Sequence, residues 1–414
     1  MKLRRLTGLL LSLVLLFCTG CSQSAAPRSA PSPTAEEQAL SSPPEASAKS
    51  PSDQQAEEKT VSAEKNAPAP AQEVSFTLCA YLPVSSMTQG AAAVAEEYAG
   101  SIAALDYLVL NTGAYWDENG ALSLSDELLD AIETLQGKTA LWCTVNPQGA
   151  LIREGTAGQS IDSPQERQAL AQEIAAFAEQ YGLAGIDIDW EYPCSDLAGI
   201  DADPSDRETF TLLLQALREA LGDHLLSVAV GASTEFVRST QMDQVARIVD
   251  YVQIMTYDMR SGFTHQAGHH TALGATRGDM SNLNTKDMVE MFHSAGVPLE
   301  KMVIGAAFYG RLWKGVRNAN HGLLQPAQTV GLSGPRYSEI DEEYLNRNRF
   351  VQYWDADAQA AYLWNGEDFV SFEPMEAVRL KCAFVREKGL LGIMYWEHGC
   401  DPSGELLRAI DAEL

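Results

Sequence analysis

One short segment of the sequence carries three acidic residues at alternating positions. The segment is GLAGIDIDWEYP, residues 182–193, and its acids are Asp187, Asp189 and Glu191. Its other residues have the composition of a buried strand, in which successive side chains point to opposite faces. The three acids therefore share one face, at intervals of about 6.7 Å. Because a buried carboxylate without a partner is costly, the row indicates a chemical role.

Neighbouring carboxyl groups suit a reaction that needs both an acid and a nearby anion. Their charges repel, so at least one of the three is expected to keep its proton at neutral pH. Two other interpretations use the same residues: a divalent metal site, or a structural cluster satisfied by tyrosine and backbone donors. A metal would need further ligands at other strand ends. The histidine cluster HQAGHH (265–270) falls in a loop, where we interpret His269 and His270 as structural. We expect no metal and no cofactor.

The elements that must position these acids form a repeating pattern. Short apolar runs alternate with amphipathic stretches such as 163–182 and 206–222, the first of which begins with a favourable Ser163-Pro164 N-terminus. The runs cover residues 76–82, 106–111, 139–145, 184–190, 225–231, 251–257, 302–308 and 390–396. This alternation predicts an α/β fold, a (β/α)8 TIM barrel in preference to an open doubly wound sheet. The acids would then point into the barrel, with Glu191 at its mouth.

The interval between the seventh and eighth apolar runs is longer than one crossover requires. It contains YSEIDEEYL (337–345) and two strand-like stretches, 351–364 and 368–373. We predict a small α+β insertion at about 312–372, between strand 7 and strand 8. In a barrel this insertion would stand beside the carboxyl-terminal mouth, where active sites lie.

The amino-terminal residues indicate export. A basic start and an apolar run too short to span a bilayer end in Cys-Thr-Gly-Cys, which resembles a bacterial lipoprotein signal. We predict a signal peptide at 1–20 and lipid attachment at Cys21, with an ordinary secretory signal as the alternative. The Ala/Pro/Ser/Glu-rich stretch 21–74 is predicted to be a disordered tether, followed by a catalytic domain at 75–414. The protein would be anchored on the outer face of a bacterial membrane, or secreted, and would touch the membrane only through its lipid.

Charge and cysteine content narrow the possible partners. The net charge of −27 excludes nucleic acid as an expected partner and suits a neutral or cationic substrate. Five cysteines in the domain show no metal-ligand spacing and are interpreted mainly as small buried hydrophobic residues. They are Cys79, Cys143, Cys194, Cys382 and Cys400. A Cys143–Cys194 disulfide is the alternative for that pair.

Four motifs in order resemble one enzyme family. The stretch AGIDIDWE (184–191) is similar to the strand-four signature of glycoside hydrolase family 18, the chitinase family, D-G-x-D-x-D-x-E. The segments MTYDMR (255–260), GAAFYGR (305–311) and GIMYWEHGCD (392–401) resemble its motifs on strands six, seven and eight. The resemblance covers essentially the whole domain.

Two positions depart from the family pattern. Ala184 replaces the first Asp of the signature, outside the reacting trio. On strand three, CTVNPQG (143–149) stands where the family commonly has Ser-x-Gly-Gly. Thr144 is the candidate to replace the serine that hydrogen-bonds the innermost acid. The departure bears on how Asp187 is held and on the shape of the groove.

The resemblance implies a role for each site residue. Glu191 would be the general acid and then the base, while the substrate's own acetamido oxygen attacks the anomeric carbon. Asp189 would bind the acetamido N–H and share a proton with Asp187. Tyr257 would hydrogen-bond the acetamido oxygen. Further substrate contacts are expected from Tyr81, Met255, Asp258, Tyr309, Arg311 and Trp396, with Trp396 under the sugar ring.

Three functions follow from the resemblance. The first is a retaining hydrolase, a monomer, that cleaves β-1,4 bonds after N-acetylglucosamine in chitin or its oligomers. The second is the same chemistry on peptidoglycan, spore cortex or N-glycan cores. The third is a sugar-binding lectin, which the presence of Glu191 disfavours, since loss of the acid commonly marks such lectins.

Overall fold

A computed structural model describes residues 76–147, 159–197, 200 and 202–414. The predicted signal peptide, Cys21 and the tether lie outside the described residues. Within the described part, no helix is both long and apolar enough to cross a membrane.

Eight parallel strands close into a barrel, as the sequence predicts. They are β1 (Thr77–Pro83), β2 (Tyr107–Asn111), β5 (Ala140–Pro147), β6 (Gly185–Asp189), β7 (Leu225–Gly231), β8 (Tyr251–Met255), β9 (Met302–Ala307) and β15 (Gly392–Trp396). Each pairs with its neighbour in this order, and β1 pairs with β15 to complete the ring. Between β2 and β5 lies a short hairpin that the sequence patterns did not indicate, β3 (Ala114–Trp116) and β4 (Leu122–Leu124).

Helices surround the barrel and cover its outer face. They are α1 (Ala91–Glu97), α2 (Ala99–Ile102), α3 (Asp126–Leu135), α4 (Pro164–Gln180), α5 (Asp206–Leu221), α6 (Thr234–Arg238), α7 (Met242–Ile248), α8 (Thr285–Ser294), α9 (Tyr337–Glu339), α10 (Met375–Lys388) and α11 (Glu405–Asp411). The α4 N-terminus forms a capping box between Ser163 and Glu166, with Pro164 in the first turn. Ile186, Ile188 and Trp190 belong to the outer core, so the acids of β6 face the interior.

The insertion between β9 and α10 is a five-stranded antiparallel sheet, confirming the predicted place of the extra element. Its strands are β10 (Tyr309–Trp313), β11 (Leu332–Arg336), β12 (Val351–Asp355), β13 (Ala360–Trp364) and β14 (Phe369–Phe372). They lie in the order β11-β10-β14-β13-β12, and the first begins three residues before 312. A separate apolar cluster around Trp313, Tyr362 and Phe369 fills one of its faces.

All five cysteines of the described domain are unpaired. Cys143 is fully buried in the outer core, whereas Cys194 is partly exposed in the loop after β6. The alternative Cys143–Cys194 disulfide is therefore not formed. The four buried thiols behave as small apolar residues, as predicted.

A buried ion pair fastens α10 and the end of the insertion to the barrel. Lys381 Nζ lies 2.7 Å from Glu373 Oε1 and also donates to Thr271 Oγ1 and to the Gly305 carbonyl, at 2.8 Å each. The other carboxylate oxygen of Glu373 accepts from the Ala307 amide at 2.5 Å. Both charged side chains are essentially inaccessible to water, so each charge depends on the other.

Replacing Lys381 by methionine should lower the free energy of unfolding by about 3–5 kcal/mol, because Glu373 would remain as an uncompensated buried charge. Urea unfolding followed by circular dichroism measures the loss. The double variant Lys381→Met/Glu373→Gln is the control and should be more stable than Lys381→Met alone. An equally unstable double variant would show that packing, not the unpaired charge, sets the cost.

Candidate active site

Asp187 is the innermost acid, and both of its carboxylate oxygens accept hydrogen bonds from protein donors. It lies inside the barrel with no exposed surface. Its oxygens accept hydrogen bonds from Tyr81 Oη (2.9 Å), Thr144 Oγ1 (3.3 Å), Ser227 Oγ (2.5 Å) and Gln253 Nε2 (3.2 Å). Burial raises its pKa although these bonds act in the opposite direction. The predicted contact of Thr144 with the innermost acid is confirmed.

Asp189 is the middle acid and lines the cleft. Its Oδ2 accepts from Asn146 Nδ2 at 3.0 Å. Its Oδ1 is buried and has no hydrogen-bond partner in the part of the chain that the structure describes. Burial raises the pKa of Asp189, and the charges of Glu191 and Asp187 raise it further. The Asn111 and Asn146 side chains act together to lower that pKa. Asp189 lines the cleft, so its carboxylate is the acceptor nearest to a substrate N–H bound above the row of acids.

Glu191 follows the end of β6 and lines the cleft. Burial raises the pKa of its carboxyl group, partly offset by a hydrogen bond with Tyr192, and the charge of Asp258 raises it again. A carboxyl group with a raised pKa retains its proton closer to neutral pH, as a general acid must. Of the row of three acids, Asp189 and Glu191 are the two that reach the cleft.

The cleft above these acids has a volume of about 690 Å³. Every predicted substrate contact lines it: Tyr81, Met255, Tyr257, Asp258, Tyr309, Arg311 and Trp396. The rings of Tyr81 and Trp396 lie 6.0 Å apart, at 42° to each other. Among the described residues, the Tyr257 hydroxyl has only a long contact to Met394 Sδ, at 3.8 Å, so it remains available as a donor at the floor of the cleft.

Asp258 is clamped between two basic side chains. Arg311 donates to both carboxylate oxygens, one of them at 2.6 Å. His270 is fully buried, and its Nδ1 lies 3.4 Å from Asp258 Oδ1. Burial alone would raise the pKa of Asp258, but His270 and Arg311 outweigh it and hold that pKa well below its usual range. His270 thus supports a residue of the cleft rather than only its own loop.

Several residues that complete the site were not predicted from the sequence. Ser227 and Gln253 donate to Asp187, and Asn146 donates to Asp189. Asn111 and Tyr192 act against burial to lower the pKa values of Asp189 and Glu191, respectively. Ser227 and Gln253 carried a readable signal, because each is a polar residue inside an otherwise apolar strand. Such residues need a buried partner, and Asp187 of β6 supplies it to both.

The site has the donors for proton transfer and sugar binding, and its acids already have protein partners. Within the described residues, no group of three or more His, Cys, Asp or Glu side chains is arranged to hold a metal ion. Asp187 uses its two oxygens on four protein donors, which leaves it poorly suited to be a metal ligand.

Treatment with excess EDTA should therefore leave the rate of glycoside hydrolysis unchanged. The reaction proposed below needs only the carboxyl groups of this chain and the substrate. The measurement is the initial rate before and after overnight chelation and dialysis, with Mg²⁺, Ca²⁺ and Zn²⁺ added back separately. Loss of activity that one of these ions restores would support the metal interpretation of the acid row.

The chain forms a closed (β/α)8 barrel, with a row of acids at its fourth strand and aromatic side chains around the mouth. These features together are those of a sugar-binding active site on a TIM barrel. The sequence model of the glycosyl hydrolases family 18 matches residues 58–401. The chain belongs to this family, which confirms the resemblance seen in its motifs.

Known relatives are chitinases and a related enzyme. Chitinase A1 of Niallia circulans is 32% identical over 272 residues, covering 60% of this chain and 39% of that protein. Probable chitinase 2 of Drosophila melanogaster is 29% identical, covering 60% of this chain and 54% of its own length. The chain thus spans well under two thirds of these curated relatives. A solved family 18 N-acetylglucosaminidase from Paenibacillus barengoltzii superposes with a TM-score of 0.74 and 36% identity, covering 82% of this chain and 100% of that one.

Proposed function

We propose that this protein hydrolyses β-1,4 bonds after N-acetylglucosamine in chitin or chito-oligosaccharides, with retention of configuration. The observation that carries the proposal is the arrangement of carboxyl groups. Glycosidases with a protein nucleophile place two carboxyls on opposite sides of the bond. Here Asp189 ends β6 and Glu191 follows it two residues later, Asp258 is paired with Arg311, and Glu235 at the rim is largely exposed. This set supports attack by the substrate's own acetamido group.

In the first step Glu191 donates its proton to the glycosidic oxygen, and the bond from that oxygen to the anomeric carbon breaks. The acetamido oxygen bonds to the anomeric carbon from the other face and closes a cyclic oxazolinium ion. The Asp189 carboxylate, which lines the cleft, accepts the acetamido N–H and offsets the positive charge that develops on the acetamido group. The Tyr257 hydroxyl donates to the acetamido oxygen and keeps it aimed.

In the second step Glu191, now a carboxylate, takes a proton from a water molecule. The water oxygen bonds to the anomeric carbon while the bond to the acetamido oxygen breaks, which restores the acetamido group. Glu191 is again protonated. Each step inverts the anomeric carbon, so the overall result is retention.

The lining of the cleft supports a neutral, extended sugar. Its aromatic residues include Tyr81, Trp396 and the strongly exposed Phe263 at the rim. Such rings stack on the apolar faces of sugars. The charged residues of the lining are mostly acidic, which disfavours an anionic substrate. Peptidoglycan, spore cortex and N-glycan cores remain the second candidate, favoured by the predicted lipid anchor that would hold the enzyme on a bacterial surface. A lectin role is disfavoured by the complete acid set.

One product analysis separates these candidates. The purified protein is incubated in parallel with chitin oligomers, peptidoglycan and an N-glycosylated protein, and the products are identified by mass. We expect cleavage of the chitin oligomers with β-anomers as the first products. Fragments released only from peptidoglycan or the glycoprotein would transfer the proposal to that substrate. Binding without any product would leave the lectin.

A further inference from the structure

Gly305 lies on β9 at the point where the regular pairing of β9 with β8 ends. The last paired residues of the two strands are Ile304 and Ile254. The backbone of Gly305 bonds a side chain instead: its N–H donates to Thr256 Oγ1 at 2.9 Å, and Thr256 Oγ1 lies 2.7 Å from its carbonyl oxygen. Lys381 Nζ donates to the same carbonyl at 2.8 Å. Both backbone polar groups of Gly305 are therefore held by fully buried side chains.

The Tyr257 ring lies directly against this glycine. A Cβ atom added at Gly305 would lie 2.7 Å from Cε1 and 2.8 Å from Cδ1 of Tyr257, and 3.1 Å from Cε of Met394. Non-bonded carbon atoms pack at about 3.5–4.0 Å, so the added atom would overlap the ring. The Tyr309 ring packs edge-on against Tyr257, with ring centroids 6.2 Å apart. The space that the Tyr257 ring occupies thus exists because residue 305 has no side chain.

We propose that Gly305 is a positioning residue that sets the place of the Tyr257 hydroxyl at the floor of the cleft. The inference rests on the proposed function, in which this hydroxyl donates to the acetamido oxygen. Among the described residues the hydroxyl has only its long contact to Met394 Sδ, so no strong hydrogen bond fixes the ring. Packing of the ring against the bare backbone of Gly305 determines its position instead.

A side chain at position 305 would move the ring rather than the strand. The strand is fixed by the bonds from Thr256 and Lys381, and by the pairing of Gly305 with Met394 of β15. Crowding in a packed interior forces side chains out of their preferred conformations. Tyr257 lines the cleft, so its ring can shift in that direction and carry the hydroxyl with it. A displacement of about 1 Å in a reacting arrangement can reduce the rate about a hundredfold.

A kinetic double-mutant cycle tests this inference, with Gly305→Ala made in the wild type and in Tyr257→Phe. In the wild type, Gly305→Ala should lower kcat on a chitin tetramer at least about tenfold. KM should change by less than about threefold, because Trp396 and Asp189 still bind the sugar. In Tyr257→Phe the same substitution should lower kcat by less than about twofold, because the hydroxyl that it displaces is already absent. A general loosening of the barrel would lower kcat equally in both backgrounds.

Gly100→Ala in α2 is the matched control, since nothing lies within 4 Å of the added methyl group. It should keep the wild-type kcat and KM. An unchanged kcat in Gly305→Ala, or equal losses in the two backgrounds, overturns the inference and leaves the proposed function intact. A Tyr257→Phe variant with wild-type kcat contradicts both, because the hydroxyl would then have no role to be positioned for.

A second variant applies if Gly305→Ala does not fold. Gly305→Ala/Tyr257→Ala removes the ring that the new methyl group meets, and circular dichroism should show that it folds and melts like Tyr257→Ala. Recovery of folding would confirm that the ring is the group that Gly305 accommodates. A double variant that also fails to fold would place the crowding at Met394 or the backbone and overturn the inference.

Discussion

Replacing Glu191 by glutamine should reduce turnover of chito-oligosaccharides by at least about a hundredfold, because general acid–base catalysis contributes about 10²–10⁴-fold. The amide keeps the shape of the carboxyl group but cannot give its proton to the leaving oxygen. It also cannot take the proton of water in the second step. The measurement is kcat on a chitin tetramer, followed by product mass.

Binding of the sugar should survive the same substitution, since Trp396, Tyr257 and Asp189 are unchanged. Addition of chitin oligomers should therefore still raise the melting temperature of Glu191→Gln, by an amount similar to the wild type. Glu235→Gln is the matched control: it makes the same chemical change at the exposed rim of the same cleft. It should keep most of the rate. If Glu191→Gln retained more than about a hundredth of the wild-type activity, the proton donor would have to be another residue.

The sequence pattern was sufficient to predict the barrel and the face on which the acids lie. Alternation along one strand determines which side chains point together, so Asp187, Asp189 and Glu191 could be placed on one side. The apolar runs correspond to the eight strands of the ring. The insertion was recognisable because 80 residues lie between Tyr309 and Leu390, far more than one crossover uses.

The partners of the acids could not be predicted in the same way. Asn111 and Asn146 come from β2 and β5, and the pairing of β2 with β5 and of β5 with β6 brings them to Asp189. The clamp on Asp258 likewise joins Arg311 of the inserted sheet to His270 of a long loop. Neither contact follows from periodicity within one segment. Such contacts depend on how neighbouring strands are staggered, which a single sequence does not specify.

A β-1,4 glucan of the same length as a cleaved chitin oligomer should not be hydrolysed at all. Cellopentaose offers the same backbone and a free 3-hydroxyl, but a 2-hydroxyl replaces the acetamido group that serves as nucleophile. Asp189 and Tyr257 would then have no acetamido group to orient. Partly deacetylated chitin oligomers should be cut only where an acetylated sugar occupies the reacting position. Mass analysis of the products from all three substrates, in equal concentration, measures this dependence.

The dependence of the reaction on the acetamido group can also be tested by binding alone, with an analogue of the cyclic intermediate. The thiazoline of N-acetylglucosamine mimics the oxazolinium ion and should inhibit more strongly than substrate binds, as analogues of high-energy states do. Asp189→Asn should lose this tight binding, because the charge that offsets the positive ring has gone while the shape remains. Asp243→Asn makes the same chemical change on α7, outside the cleft, and as the control should keep the thiazoline affinity. Efficient cleavage of cellopentaose, or a thiazoline without effect on the wild type, would require a protein carboxylate as nucleophile. Asp258 would be the first to examine, and its clamp by Arg311 and His270 would then have to open during the reaction.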